Sequence, residues 1–259
     1  MTHLTGSIHA GVRGMSACLV ALPLVLLLAC LSQLRSEDLP AASASVAGYQ
    51  TLLIDGWTVR VHDDLRRSQA EATAVALALL RSQLDGIVQV VPIQAVEKLR
   101  GITLWVNPEY PGVRPSAEYH PGADWLRSVN RNPLMVKGVE FTNVTIFAAE
   151  IRRMPNLVLH ELAHGFHDLV LGFDQPEVMA QFERMKAGGT YDKVERSSGD
   201  GRPDTFEKAY AMTNHREYFA ECTEAFFGRN DFFPFDRAQL HQHDPQMEQL
   251  LERVWTTGR

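Results

Sequence analysis

The stretch Val158-Leu159-His160-Glu161-Leu162-Ala163-His164-Gly165 decides how this chain is read. On a helix, His160 and His164 stand one turn apart and project from the same face. That spacing lets both imidazoles bind one ion at about 2.0–2.1 Å, the pattern of a zinc-binding helix. Glu161 lies about 100° round the helix from His160. It can therefore reach a water activated at the ion without being a ligand itself.

Two histidines do not complete a hydrolytic zinc site, which takes three protein ligands and keeps one position open. His167 lies about 10.5 Å along the axis from His160, too far for one ion to hold all three rings. The longer motif with a third histidine wants Gly at position 167 and His at position 170. Here His167 and Val170 stand there, so that pattern fails.

A better candidate is the helix Asn214-His215-Arg216-Glu217-Tyr218-Phe219-Ala220-Glu221-Cys222-Thr223-Glu224. Glu217, Glu221 and Glu224 share one face, and neighbouring acids repel without a cation between them. A metal under Glu217 and a zinc-binding histidine under Glu221 account for the arrangement. Asn214-x-x-Glu217 also fits a capping box, in which Glu217 only starts the helix. Pairing with His160 and His164 favours the ligand reading. Cys222 and His215 point elsewhere on the same helix.

The run Tyr210-Ala211-Met212-Thr213-Asn214-His215-Arg216-Glu217-Tyr218-Phe219-Ala220-Glu221 resembles the ligand helix of the anthrax lethal factor type of gluzincin metallopeptidase. That family also includes the secreted Pro-Pro endopeptidases. The likeness covers about Pro155 to Phe235, and its end, Thr223 to Phe235, is similar to a group of exported bacterial proteins with the same core. It implies an α+β, zincin-like metallopeptidase domain with an active-site helix, a small mixed sheet and a C-terminal ligand helix. It further implies one Zn2+ per chain, held by His160, His164 and Glu217, and a peptide or protein substrate. Glu161 would be the general base, Glu221 would orient a zinc histidine, and Tyr210 would support the oxyanion. Substrate preference does not carry over. A metallopeptidase-like module that binds zinc and recognises peptides or cell-envelope partners without cleaving them is the alternative.

Towards the N-terminus, Ala17 to Leu31 is an apolar run interrupted by Pro23, with Arg13 before it and polar residues after it. This describes an export signal over residues 1–30 rather than a membrane span, which needs about 20 apolar residues. Leu27-Leu28-Ala29-Cys30 also resembles a lipobox, which would make Cys30 a lipidation site. Residues 31–47 read as a flexible tether. The expected location is outside the cytoplasmic membrane, which the chain would touch only through its signal or lipid anchor.

Residues 48–147 read as an N-terminal α/β part and 148–259 as the zinc-binding part. Tyr49 to Val61 surrounds Asp55-Gly56, a hairpin signal. A helix is expected over Arg66 to Leu84, packed by Val75, Leu77, Leu80 and Leu84, and another from Pro92 to Arg100. Ile102 to Val106 and Val139 to Phe147 read as strands, the second either offering an edge for an extended peptide, by analogy to zinc peptidases, or serving only as core. Between them, Asn107 to Lys137 reads as a long loop, either lining a cleft or covering the surface. The helix with the two histidines should run from Pro155 to Leu171, with further helices over Pro176 to Ala187, Asn214 to Phe227 and Pro245 to Trp255.

The 259 residues carry a net charge of −6 without a long basic run, so there is no footprint for nucleic acid. Of three cysteines only Cys222 lies beyond the apolar segment, which excludes a disulfide framework and a cysteine-based zinc knuckle.

Overall fold

A computed structural model of the protein describes residues 45–199 and 201–258. The export signal, Cys30 and most of the tether therefore lie outside the described residues. Among the described residues no helix is long and apolar enough to cross a membrane.

The chain opens with the hairpin β1 (Tyr49–Ile54) and β2 (Trp57–His62), turning at Asp55-Gly56. Next come α1 (Asp63–Ser68) and α2 (Ala70–Val90). The helix expected from Arg66 to Leu84 is thus longer and broken at Gln69. Its buried stripe is Thr73, Ala76, Leu80, Leu84 and Ile87, which turns Val75 out to solvent. After α3 (Ile93–Leu99), β3 (Leu104–Val106) is buried throughout.

The expected loop from Asn107 to Lys137 holds regular structure that its prolines and glycines conceal. It contains β4 (Ala117–Tyr119), α4 (Ala123–Ser128) and a 3-10 turn at Pro133–Met135. The strand expected from Val139 to Phe147 shrinks to β5 (Val139–Phe141), because Phe147 already begins α5 (Phe147–Arg153). The histidine helix α6 (Leu157–Phe166) follows, continued by a π-helical turn at His167–Leu171. Then come α7 (Pro176–Gly188), the hairpin β6 (Val194–Arg196) and β7 (Thr205–Glu207), and a 3-10 turn at Tyr210–Met212. The chain ends with α8 (His215–Phe227), α9 (Arg237–His243) and α10 (Pro245–Thr257).

These elements make an α+β fold. The main sheet has the order β1-β2-β3-β5-β4. Its two inner pairings, β2 with β3 and β3 with β5, are parallel, and the outer two are antiparallel. The expected edge strand is corrected by this order: β5 is paired on both sides, and β4 forms the edge. The sequence could not show this, because β4 is only three residues long and lies in a Pro- and Gly-rich stretch.

Alternation sorts the side chains of the sheet. Val59, Val61, Leu104, Val106, Tyr119, Val139 and Phe141 enter the large core, which also takes in α2, α3, α6, α8 and α10. Trp105 lies on the other face, packed with Leu126 and Met135. Glu140 is buried there too and accepts hydrogen bonds from Asn107 Nδ2 (2.5 Å), Tyr110 Oη (2.7 Å) and Arg131 Nη1 (3.1 Å), with His120 Nε2 at 2.9 Å. Burial opposes its charge, but the bonds from His120, Asn107 and Tyr110 outweigh it and hold Glu140 below its usual range. This network fastens the segment bearing β4 onto the sheet.

Helix α6 packs against β4, β5, α2 and α8. Gly165 permits the approach to β4: a Cβ there would collide with Ile102 Cδ1 and stand 3.2 Å from the Tyr119 ring. Gly165→Val should therefore cost about 1–3 kcal/mol by overpacking, read as a lower denaturant midpoint. Gly165→Ala should cost less, since the end of Ile102 can swing aside.

Candidate metal centre

All of α6 is buried, so its polar side chains depend on partners from neighbouring elements. Asn156, at its start, donates from Nδ2 to Glu224 O (3.3 Å) and Arg229 O (3.0 Å), which ties the helix to the end of α8. Asn214 caps α8 by accepting from the backbone N–H groups of Arg216 (2.8 Å) and Glu217 (3.1 Å). The side chain of Glu217 turns instead towards α6.

There, three donor atoms converge. His160 Nε2, His164 Nε2 and Glu217 Oε2 are each 3.2 Å from the other two. A tetrahedral ion with bonds of about 2.0–2.1 Å needs its donors about 3.3–3.4 Å apart, so the triangle fits zinc without rearrangement. The two imidazoles and one carboxylate are also a donor set suited to zinc. Burial opposes the charge of Glu217, but hydrogen bonding with His160 and His164 outweighs it and holds the carboxyl well below its usual range.

His160 Nδ1 stands 2.7 Å from Glu224 Oε1 and 3.8 Å from Glu221 Oε1. The carboxylate bound to this histidine is therefore Glu224, not the expected Glu221. Both acids share a face of α8, and the way α8 crosses α6 brings the later one opposite His160. That crossing is not written in the helical period. In the tautomer whose Nδ1–H donates to Glu224, the lone pair of Nε2 would face the triangle. Glu221 takes a different place: its Oε2 accepts from Asn230 Nδ2 (3.1 Å), and the residue lines the cleft. Burial, then the nearby charges of Glu224 and Asp231, push Glu221 well above its usual range.

Glu161 Oε2 accepts the backbone N–H of Tyr119 at 2.9 Å, so β4 holds this carboxylate in place. Tyr210 lies in the 3-10 turn before α8 and is half exposed. Burial and then the charge of Glu217 raise its hydroxyl above the usual tyrosine range, which keeps the proton on at neutral pH.

One corner of the donor triangle, His160, lines a cleft of about 910 Å³. One wall is Arg114 to Ala117, leading into β4; α5 and α6 supply Glu150, Arg153, Leu157, His160 and Glu161. The lining also includes Tyr210, Thr213 and Glu221 together with Arg196, Glu207, Lys208, Asp231 and Phe232. The segment before β4 thus lines a cleft in its first part. The ion pairs Arg153–Asp231 (3.5 Å) and Arg196–Asp231 (3.2 Å) have no signature in the sequence, because residues so far apart leave no common spacing.

His167 is fully buried beside Phe219 and Phe173, with neither ring nitrogen bonded to a protein group. It takes no part in the triangle. Glu118, His120 and Glu140 form a second convergent group, but Arg131 Nη1 already bridges it at 2.6 Å from Glu118 and 3.1 Å from Glu140. Its guanidinium fills the place a cation would take.

In comparisons with known proteins, no family model, no curated protein and no solved structure matches the chain.

The contact between His160 and Glu224 can be tested directly. Glu224→Ala should weaken zinc binding about 10–100-fold by competition against a chelating dye, the usual effect of removing a carboxylate behind a metal histidine. Glu221→Ala should weaken it less. The buried His167 bears on acid stability. Burial pushes His167 from 6.5 down to about 3. Between those values the unfolded chain binds the proton and the folded chain does not, so stability falls as pH drops below about 6.5. In metal-free protein, His167→Phe should remove about 2 kcal/mol of the loss measured between pH 7.5 and pH 5 by denaturant titration.

Proposed function

We propose that the protein is a zinc-dependent metallopeptidase that hydrolyses peptide bonds in peptide or protein substrates. The observation that carries this reading is the near-equilateral triangle of His160 Nε2, His164 Nε2 and Glu217 Oε2, whose His160 lines a cleft together with Glu161 and Tyr210. Zinc held by these three residues would supply a Lewis acid that activates water and polarises the scissile carbonyl.

The chain's own groups account for the remaining steps. Glu161 keeps one carboxylate oxygen on the Tyr119 amide, leaving the other to accept the proton of the attacking water and pass it to the leaving amine. Tyr210, protonated at neutral pH, donates to the oxygen on which negative charge develops. Glu224 fixes the tautomer and direction of His160.

An extended substrate has a strand to pair with. Thr142 N donates to Ser116 O (2.9 Å) and His120 N to Gly138 O (2.9 Å), so these residues of the β4 segment turn their backbone groups inward to the sheet. By alternation, Ala117 turns its own outward, towards the cleft it lines. A zinc-binding module without activity would need neither a glutamate held beside the triangle nor the Tyr210 hydroxyl. Export of the protein rests on the sequence of its first 30 residues.

Glu161→Gln should retain one zinc per chain by metal analysis while losing at least about 10²–10⁴-fold in casein or peptide cleavage. Equal cleavage by wild type and variant, or no cleavage by the zinc-loaded wild type, would overturn the peptidase reading. Tyr210→Phe should lower kcat about 10²-fold or more, the usual cost of one oxyanion donor.

A further inference from the structure

The carboxylates that line the cleft are already engaged. Glu150 accepts from Arg153 at 2.8 Å, Glu207 pairs with Arg196 at 3.4 Å, and Asp231 pairs with both arginines. Glu221 accepts from Asn230, and Glu161 from the amide of Tyr119. Two lining cations stand differently. Arg114 is exposed and, among the described residues, makes no hydrogen bond or ion pair. Lys208 has only Asp192, at 3.4 Å, with both side chains more than half exposed, and Asp192 is not part of the lining. Such a contact is worth little in water and is readily exchanged for a better one.

Apart from Glu161, which accepts from an uncharged amide, the charged lining side chains with no ion-pair partner in the lining are therefore Arg114 and Lys208. Arg114 comes two residues before Ser116, whose N–H donates to Thr142 Oγ1 at 3.0 Å and whose carbonyl is bonded to the sheet. Pro115 between them removes further backbone freedom. The guanidinium thus hangs from a fixed point beside the open edge at Ala117. Lys208 stands two residues before Tyr210 and lines the same cleft.

We propose that the cleft selects peptides carrying an Asp or Glu near the scissile bond, and that Arg114, supported by Lys208, reads that side chain. Arg114 presents a planar fork that matches a carboxylate with two parallel hydrogen bonds. Being otherwise unpaired, it gives up no protein partner when it does so. The inference rests on the peptide-binding reading of the cleft, so its test is built to separate the two.

The zinc-loaded full chain is given quenched peptide sets with Asp or Glu, Lys or Arg, or a neutral residue at each position around the bond. The expected result is kcat/KM about tenfold higher for the acidic member at one position, with Arg114→Glu reversing the order in favour of the basic one. In parallel, labelled acidic, neutral and basic peptides are titrated into zinc-loaded Glu161→Gln by anisotropy at low and high salt. Tighter binding of the acidic peptide that fades with salt supports the inference independently of cleavage. Cleavage without charge preference, or an acidic preference unchanged in Arg114→Glu/Lys208→Glu, overturns the inference and spares the peptidase. Acid-selective binding without cleavage by the wild type overturns the peptidase and spares the inference. Failure to bind or cut any peptide overturns both.

Discussion

Burial of α6 on every side is the constraint from which the rest of the structure follows. A helix placed through the middle of a core is normally apolar all round. This one carries His160, Glu161 and His164, and each must be satisfied from outside the helix. The required partners come from opposite sides: α8 brings Glu217 and Glu224 to the histidines, and β4 brings an amide to Glu161. The cleft opens between those two suppliers. Moving either element would leave a buried charged or polar group unpaired, at about 1–3 kcal/mol or more. The energetic need that fixes the helix in the core also fixes the groups of the site relative to one another.

Much of this arrangement is legible in the chain, for reasons that can be stated residue by residue. His160 and His164 are related by one helical turn, and Glu217, Glu221 and Glu224 by the same period, so helical spacing alone places each set on one face. The hairpin at Asp55-Gly56 and the helix starts at Pro176 and Pro245 are equally local signals, and the fold has them there. What the sequence withholds is relational. Which of two acids on α8 meets His160 depends on where two helices cross, and no periodicity within one helix contains that. Analogy to zinc peptidases makes the run at Val139 a candidate edge of the sheet, whereas that edge belongs to three residues inside a stretch of prolines and glycines. Strand length and hydrophobicity report burial, and an edge strand is the least buried member of its sheet.

The second face of the sheet explains how so short an edge strand stays in place. Two carboxylates, Glu118 and Glu140, lie directly opposite each other in the β4–β5 pairing, an arrangement that should push the strands apart. Arg131 lies between them, and His120, Asn107 and Tyr110 complete the bonding of Glu140. A repulsive pair has thus become a clamp. Because β4 carries the amide that holds Glu161, the clamp on one face of the sheet fixes a carboxylate on the other. The long segment before β5 is in this sense part of the site even where it does not line the cleft.

Electrostatics gives a further reason to expect a cation at the triangle. Glu161, Glu217, Glu221, Glu224 and Asp231 all act on His160 or on one another, and Arg153 and Arg196 are the lysine or arginine partners paired with that group at Asp231. Burial and mutual repulsion raise Glu221, Glu224 and Asp231 above their usual range. Glu217 alone departs in the other direction, because both histidines face it. A divalent ion at that point would set a fixed positive charge among these acids. It would also lower the cost of keeping Glu224 ionised behind His160. The acids on α8 thus take three separate places: Glu217 in the triangle, Glu224 behind His160, and Glu221 in the lining of the cleft, held by Asn230.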